Sequence, residues 1–288
     1  MARKGKSKKF SGAIAERGGN GRIAVIGAGK MGGILLQACL QRGLFKRSEV
    51  CATVQHPEKA KALSKSLGIS VDHDNVAAAR RADTILVCVK PQVVATVMKQ
   101  IAGVLTPKKL IVSIAASVPT DYIQKLVPAG VPVVRAMPNT PCFVGKGMTA
   151  LCAGSHATAE HLKAARQFFD VVGRTVTADE KHMDAITGLS ASGPAFIYII
   201  LESLAEAGVK VGLPRDVATL LSAQTVLGAA SMVLETGDHP ALLKDAVTTP
   251  AGCTIDGILE LEDGKLRVTL IKAVVKAAER AKDLLLQG

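Results

Sequence analysis

The segment "RIAVIGAGKMGG", residues 22–33, restricts this chain more than any other stretch. A short run rich in Val and Ile ends on Gly27. Gly27, Gly29 and Gly32 then form G-x-G-x-x-G as a helical pattern begins. The first glycine allows a tight turn, the second lets backbone approach a pyrophosphate, and the third lets the helix lie close on the strand. The helix start adds unpaired amides and partial positive charge facing an anion. These features predict a dinucleotide site opening a βαβ unit. A phosphate-loop NTPase is excluded, because Gly29-Lys30 lacks the upstream glycine and Met31 replaces the hydroxyl that would hold magnesium.

The same alternation continues downstream. Strand patterns fall at 22–27, 49–54, 68–71, 83–89, 109–115 and 131–137, with helical segments between most of them. Two more strands, 147–154 and 174–178, flank a helix over 158–172. Short Val/Ile-rich strands separated by helices predict a parallel sheet covered on both faces. From about residue 180 the strand signal vanishes, and helical patterns cover roughly 180–208, 214–236 and 264–286. The expected fold class is α/β: an N-terminal Rossmann-type doubly wound domain over 21–178, then an all-helical C-terminal domain over 179–288. Pro194 falls inside the first long helical pattern and predicts a kink there. We expect that bend to face the cofactor.

Composition narrows the function classes. Of the net charge of +12, a local share sits in residues 1–20, with six Lys/Arg against one Glu. That stretch reads as a basic flexible tail. Nucleic-acid binding through it is the disfavoured rival, and would show strong salt dependence. No uninterrupted apolar run approaches the roughly 20 residues of a membrane span, so no membrane partner is expected. Six cysteines without C-x-x-C spacing suit reduced thiols in a cytoplasmic protein. No metal site is expected: His156 and His161 are off helical ligand spacing, and "VDHD" at 71–74 reads as a solvated connection.

The end of the second strand bears on which dinucleotide binds. NAD enzymes usually place a carboxylate there for the ribose 2′-hydroxyl. Here "TVQHPEK" offers Val54, Gln55 and His56, with Lys59 nearby. NADPH is the preferred cofactor on this reading, with NADH admitted.

"TTPAGCT", residues 248–254, carries three threonines and no strong base before an apolar, acidic helical run. Amides of Gly252, Cys253 and Thr254 at a helix start suit a carboxylate. Thr254 is the candidate catalytic residue of this loop, with Thr249 supporting the carboxylate. The plainer alternative makes Thr254 a helix cap. Ser190 and Ser192 read either as small residues at a helix crossing or as a proton relay.

The blocks "IGAGKMG", "VKPQ", "MPNTP", "TGLSASGPAF", "AGVKVGLPRDVA", "QTVLGAA" and "HPALLKDAVTTPAGCTIDGILELE" together resemble pyrroline-5-carboxylate reductase, from about residue 22 to the end. The resemblance implies NAD(P)H-dependent reduction of 1-pyrroline-5-carboxylate to L-proline by a homodimer with interlocked helical domains, often assembled into a higher oligomer of dimers. It implies cofactor contacts at Ile26, Gly27, Ala28, Gly29, Lys30, Met31, His56, Asn75, Cys88, Val89, Lys90, Pro91, Ser113, Ile114 and Ala115. It puts substrate against Glu180, Val247, Thr249, Gly252, Cys253 and Thr254. Ala246 departs from members that carry Asn beside the cofactor. No Lys or Arg lies between Lys181 and Lys210, whereas the β-hydroxyacid dehydrogenases, similar in layout, carry a catalytic lysine on the first long helix. The alternative is another NADP-linked imine or oxo-acid reductase of the same scaffold.

Overall fold

The computed structural model describes residues 21–283; the basic tail and the last five residues lie outside them. Eight strands form one sheet: β1 (Ile23–Ile26), β2 (Val50–Thr53), β3 (Ser70–Asp72), β4 (Thr84–Val87), β5 (Leu110–Ser113), β6 (Val133–Pro138), β7 (Gly147–Ala153) and β8 (Gly173–Thr177). Their order is β3-β2-β1-β4-β5-β6-β7-β8. The first six run parallel, β7 turns back against β6, and β8 runs with β7. The chain reverses its direction of winding between β1 and β4. Doubly wound folds bind nucleotides at such a switch point, outside the carboxyl ends of the strands.

Burial explains the runs of Val and Ile. All four residues of β1 are buried, with Ile23 and Val25 on one face and Ala24 and Ile26 on the other. The first face is covered by Leu35, Leu36 and Cys39 of α1 (Lys30–Gln41), and by Phe168 and Phe169 of the helix Ala159–Asp170. Val94, Val97, Met98 and Ile101, from the helix Pro91–Ile101, cover the second. Alternating strand residues thus feed two cores, the arrangement that both-face burial requires.

Past β8 the chain is helical. A short helix, Met183–Ile186, continues into a π turn, Thr187–Ala191, and a new helix starts at Gly193 and runs to Lys210. The break expected from Pro194 therefore takes a specific form, a widened turn followed by a restart with Pro194 in the first turn of the new helix. Helices Arg215–Thr236, Pro240–Ala246, Cys253–Asp263 and Leu266–Asp283 follow. Two compact units result: 21–191 with 278–283, and 192–277. The break falls later than the expected 178/179, because Met183, Ile186 and Ala191 pack with Met137, Ala150 and Cys152 of the sheet.

The expectation about apolar segments needs correction. Glu180–Lys210 and Arg215–Thr236 are long and apolar enough to cross a bilayer by length and composition. Counting unbroken apolar runs missed them, because Ala, Gly and Ser separate their larger residues while leaving the average apolar. Leu220, Leu221, Leu227 and Met232 are exposed along the second of these helices.

Candidate active site

The three glycines have three separate jobs. Gly27 sits at φ +86°, the left-handed region that favours glycine, and a side chain there would meet Val89. A Cβ on Gly32 would lie 2.6 Å from the Gly27 carbonyl oxygen and 2.9 Å from the Cys88 Cβ, so this glycine permits close helix–strand packing. At Gly29 a Cβ would meet nothing within 4 Å. That open side, above the first turn of α1, fits the room a pyrophosphate needs. The amides of Gly27 and Ala28 are already taken by the Thr53 carbonyl, at 3.1 and 2.8 Å. Gly29 is the N-cap without any side-chain cap, so Lys30 and Met31 present the unpaired helix-start amides.

At the far end of β2, His56 is the N-cap of the helix Pro57–Leu67 and lies 3.6 Å from the Glu58 carboxylate. Asn75 opens the helix Asn75–Arg81, which Asp74 caps by accepting from the amides of Val76 and Ala77. The Asn75 Oδ1 accepts from the Thr53 hydroxyl at 2.7 Å, and its Nδ2 donates to the Gln100 side chain at 3.0 Å. Buried Thr53 thus holds the glycine loop with its carbonyl and Asn75 with its hydroxyl.

Cys88, Val89, Lys90 and Pro91 connect β4 to the helix Pro91–Ile101, and the Cys88 amide donates to Ile26 O at 2.8 Å. Burial pushes the thiols of Cys39 and Cys152 up to about 12 and that of Cys88 higher still, so all three stay protonated at neutral pH. Ser113 is fully buried at the end of β5, its Oγ accepting from the Ala115 amide at 3.3 Å. Its side chain is turned inward, and of the three residues 113–115 only Ile114 is partly exposed. Ile26 is likewise buried, so it supports the loop from below.

Glu180 is committed on several sides. Its carboxylate accepts from the Thr120 amide at 3.0 Å, from the Thr120 hydroxyl, and from Arg135 Nη1 at 3.1 Å. Arg135 is 3% exposed on β6 and also faces Asp184 at 3.5 Å. A carboxylate has about four acceptor positions, so one remains on Oε2. Glu180 also lines an open cleft of about 570 Å³ with Ala153, Leu162, Thr177, Ala178, Asp179 and His182. Removing it would leave a buried guanidinium with one distant partner. We expect Glu180→Ala to cost about 3 kcal/mol of stability, the low end for breaking a buried pair because Glu180 is 29% exposed. Urea unfolding checks this; a loss below about 1 kcal/mol would show that Asp184 alone suffices.

The remaining candidates lie on the second unit. Val247 ends the helix Pro240–Ala246 as its C-cap, and the chain turns through Thr248–Ala251, with Ala251 at φ +56°. Gly252 is the N-cap of the helix Cys253–Asp263, and a side chain on it would run into the Thr249 hydroxyl. The Gly252 amide donates to the Thr249 carbonyl at 3.0 Å, so the expected set of three anion-binding amides shrinks to Cys253 and Thr254. Thr254 is the second residue of the helix and not its cap. Its hydroxyl is engaged by no other group of the described chain.

Three polar residues that the sequence did not single out stand beside these candidates: Thr53, Arg135 and Asn139. A cation amid "VPVVRAM" was a legible signal, since a buried arginine demands acidic partners. Asn139, within "MPNTP", donates from Nδ2 to the Ser190 carbonyl of the π turn at 3.1 Å.

Comparisons with known proteins cover both units. Residues 180–284 match the family described as pyrroline-5-carboxylate reductase dimerisation, and residues 22–117 match that described as NADP oxidoreductase, coenzyme F420-dependent. The pyrroline-5-carboxylate reductase of Methanosarcina acetivorans is 43% identical over 92% of this chain and 98% of that protein. That of Glycine max is 42% identical over 91% and 95%. A solved pyrroline-5-carboxylate reductase from Coxiella burnetii superposes with a TM-score of 0.86 at 35% identity, covering 92% of this chain and 98% of that one. The Plasmodium falciparum enzyme, solved with NADP bound, gives 0.82 at 30% identity, covering 91% and 97%. With relatives this similar over nearly their full lengths, the chain belongs to the pyrroline-5-carboxylate reductase family.

Proposed function

We propose that this enzyme reduces 1-pyrroline-5-carboxylate to L-proline, with NADPH preferred over NADH. The observation that carries the reading is that one chain holds both a glycine loop left open at Gly29, on its first unit, and a base-free threonine loop at the start of the helix Cys253–Asp263, on its second. NADPH, when bound, would supply the hydride for the ring carbon of the C=N bond. The chain's residues do the rest. Lys30 and Met31 amides would hold the pyrophosphate, Asn75 the ribose, and His56 with Lys59 the 2′-phosphate. The connections 88–91 and 113–115 line the nicotinamide end.

On the substrate side, the amides of Cys253 and Thr254 hold the carboxylate, with Thr249 beside them and Val247 as apolar wall. Glu180, on the first unit, has its remaining acceptor position to offer to a substrate N–H. Once the ring carbon of the protonated imine has been reduced, the C=N pair becomes a lone pair on nitrogen, which takes one proton through the Thr254 hydroxyl, itself reprotonated from solvent, so that the product departs as a secondary ammonium. A protonated cyclic imine is already electrophilic, so placement matters more here than a strong acid.

A homodimer is part of this proposal, assembled further into a higher oligomer of dimers. A second copy covers the exposed apolar faces of Glu180–Lys210 and Arg215–Thr236, in place of lipid or nucleic acid. The six free cysteines suit the reducing conditions of a cytoplasmic enzyme.

Initial rates with NADPH and, separately, NADH, with proline assayed as product, test the reading. Turnover forming proline, faster with NADPH, is expected. Folded protein that binds NADPH but leaves the imine unreduced would overturn the substrate assignment. Equal rates would overturn the roles given to His56 and Lys59.

A further inference from the structure

Pro194 creates a gap in the helix ladder that another part of the chain closes. In an α-helix the amide of residue 194 would bond the carbonyl of Ser190, but proline has no N–H. That carbonyl instead accepts from Asn139 Nδ2 at 3.1 Å. The other end of the same side chain is fixed too: Asn139 Oδ1 accepts from the Met148 amide at 2.9 Å, and the Asn139 amide donates to the Met148 carbonyl at 3.2 Å. An N–H on one side and a C=O on the other dictate which way the side-chain amide points.

The location gives this bond a consequence. Asn139 follows directly on β6, at the carboxyl end of the parallel strands. Ala116, just past the 113–115 connection, packs in one small cluster with Met137, Met183, Ile186 and Ala191. The π turn is therefore seated at the edge assigned above to the nicotinamide end. A π turn is an irregularity that recurs at functional sites, and here two side-chain bonds adjoin it: the Asn139 bond, and the Thr187 hydroxyl donating to Met183 O at 2.8 Å.

We propose that Asn139 is a positioning residue for the reduction: by supplying the donor that Pro194 lacks, it holds the π turn, with half-buried Ser190 and Ser192, in register with the nicotinamide edge. This rests on the cofactor placement proposed above. Asn139 touches neither substrate nor cofactor in this role, so its loss acts on turnover and leaves NADPH binding alone.

Asn139→Asp keeps an oxygen for the Met148 amide and removes the donor to Ser190. It should lower kcat/KM for the imine by about tenfold or more, the scale of one lost buried hydrogen bond, with the NADPH Kd changed by less than about twofold. Pro194→Ala restores an in-helix donor to the Ser190 carbonyl. Adding Asn139→Asp to it should then cost about twofold or less, a coupling between two distant sequence positions. Hydrogen exchange of residues 187–195 reads the same latch without activity. It should speed up in Asn139→Asp and return in the double variant. Equal losses from Asn139→Asp in both backgrounds, or a fall in NADPH affinity matching the fall in turnover, would overturn the proposal. If Asn139→Asp alone fails to fold, folding of the double variant supports the latch, and its failure refutes it. A wild-type enzyme inactive on the imine would refute the proposed substrate, while hydrogen exchange still decided the latch.

Discussion

Thr254→Ala is expected to lower turnover of 1-pyrroline-5-carboxylate by about a hundredfold, the lower range for a positioned proton donor, while NADPH affinity stays within about twofold. The hydroxyl sits on the second residue of the helix Cys253–Asp263, and among the described residues no group engages it. Its removal therefore leaves no orphaned partner and no unfolding cost worth noting. Thr254→Ser, which keeps the hydroxyl, should recover most of the rate. Steady-state kinetics with each substrate varied in turn, beside a cofactor titration by fluorescence, separates the outcomes. A fall in cofactor affinity as large as the fall in turnover would move this loop out of the substrate site. An unchanged rate would hand the proton step to solvent.

Gly29→Val should produce the opposite pattern. The backbone at Gly29, φ −78°, suits an ordinary residue, and among the described residues a Cβ there meets no atom within 4 Å. The variant should melt at the wild-type temperature, yet lose cofactor affinity by about thirtyfold or more, equivalent to the ~2 kcal/mol of a partly buried helix-terminus interaction with an anion. Gly32→Val provides the contrast, since its side chain would strike the Gly27 carbonyl and Cys88 and so harm folding itself. Thermal melts beside NADPH titrations check both. A Gly29→Val protein that binds NADPH normally would sink the pyrophosphate placement.

Much of this architecture was legible because it follows from local rules. A strand buried on both faces must be continuously apolar, so β1, β4 and β5 announced themselves. The glycine spacing put a helix start directly after β1, and α1 begins there at Lys30. What escaped the sequence depends on partners far along the chain. That Glu180 meets Thr120 and Arg135, or that the Gly252 amide is taken by Thr249, emerges only once the chain is folded. Pro194 predicted a kink, but that the helix passes through a π turn whose Ser190 carbonyl accepts from Asn139, some fifty residues away, was not legible before folding. The apolar helices show a different failure: counting uninterrupted runs penalises Ala, Gly and Ser, although these residues let hydrophobic helix faces pack closely.

The two hydrogen bonds that the glycine loop donates to Thr53 have a kinetic side. With the Gly27 and Ala28 amides both held on one carbonyl, the loop is shaped before any ligand arrives. Its ordering entropy is then charged to folding and not to association, so the dinucleotide meets a rigid surface. Cofactor capture should accordingly proceed in one phase, linear in concentration, without the lag that a closing lid imposes on slower dinucleotide enzymes.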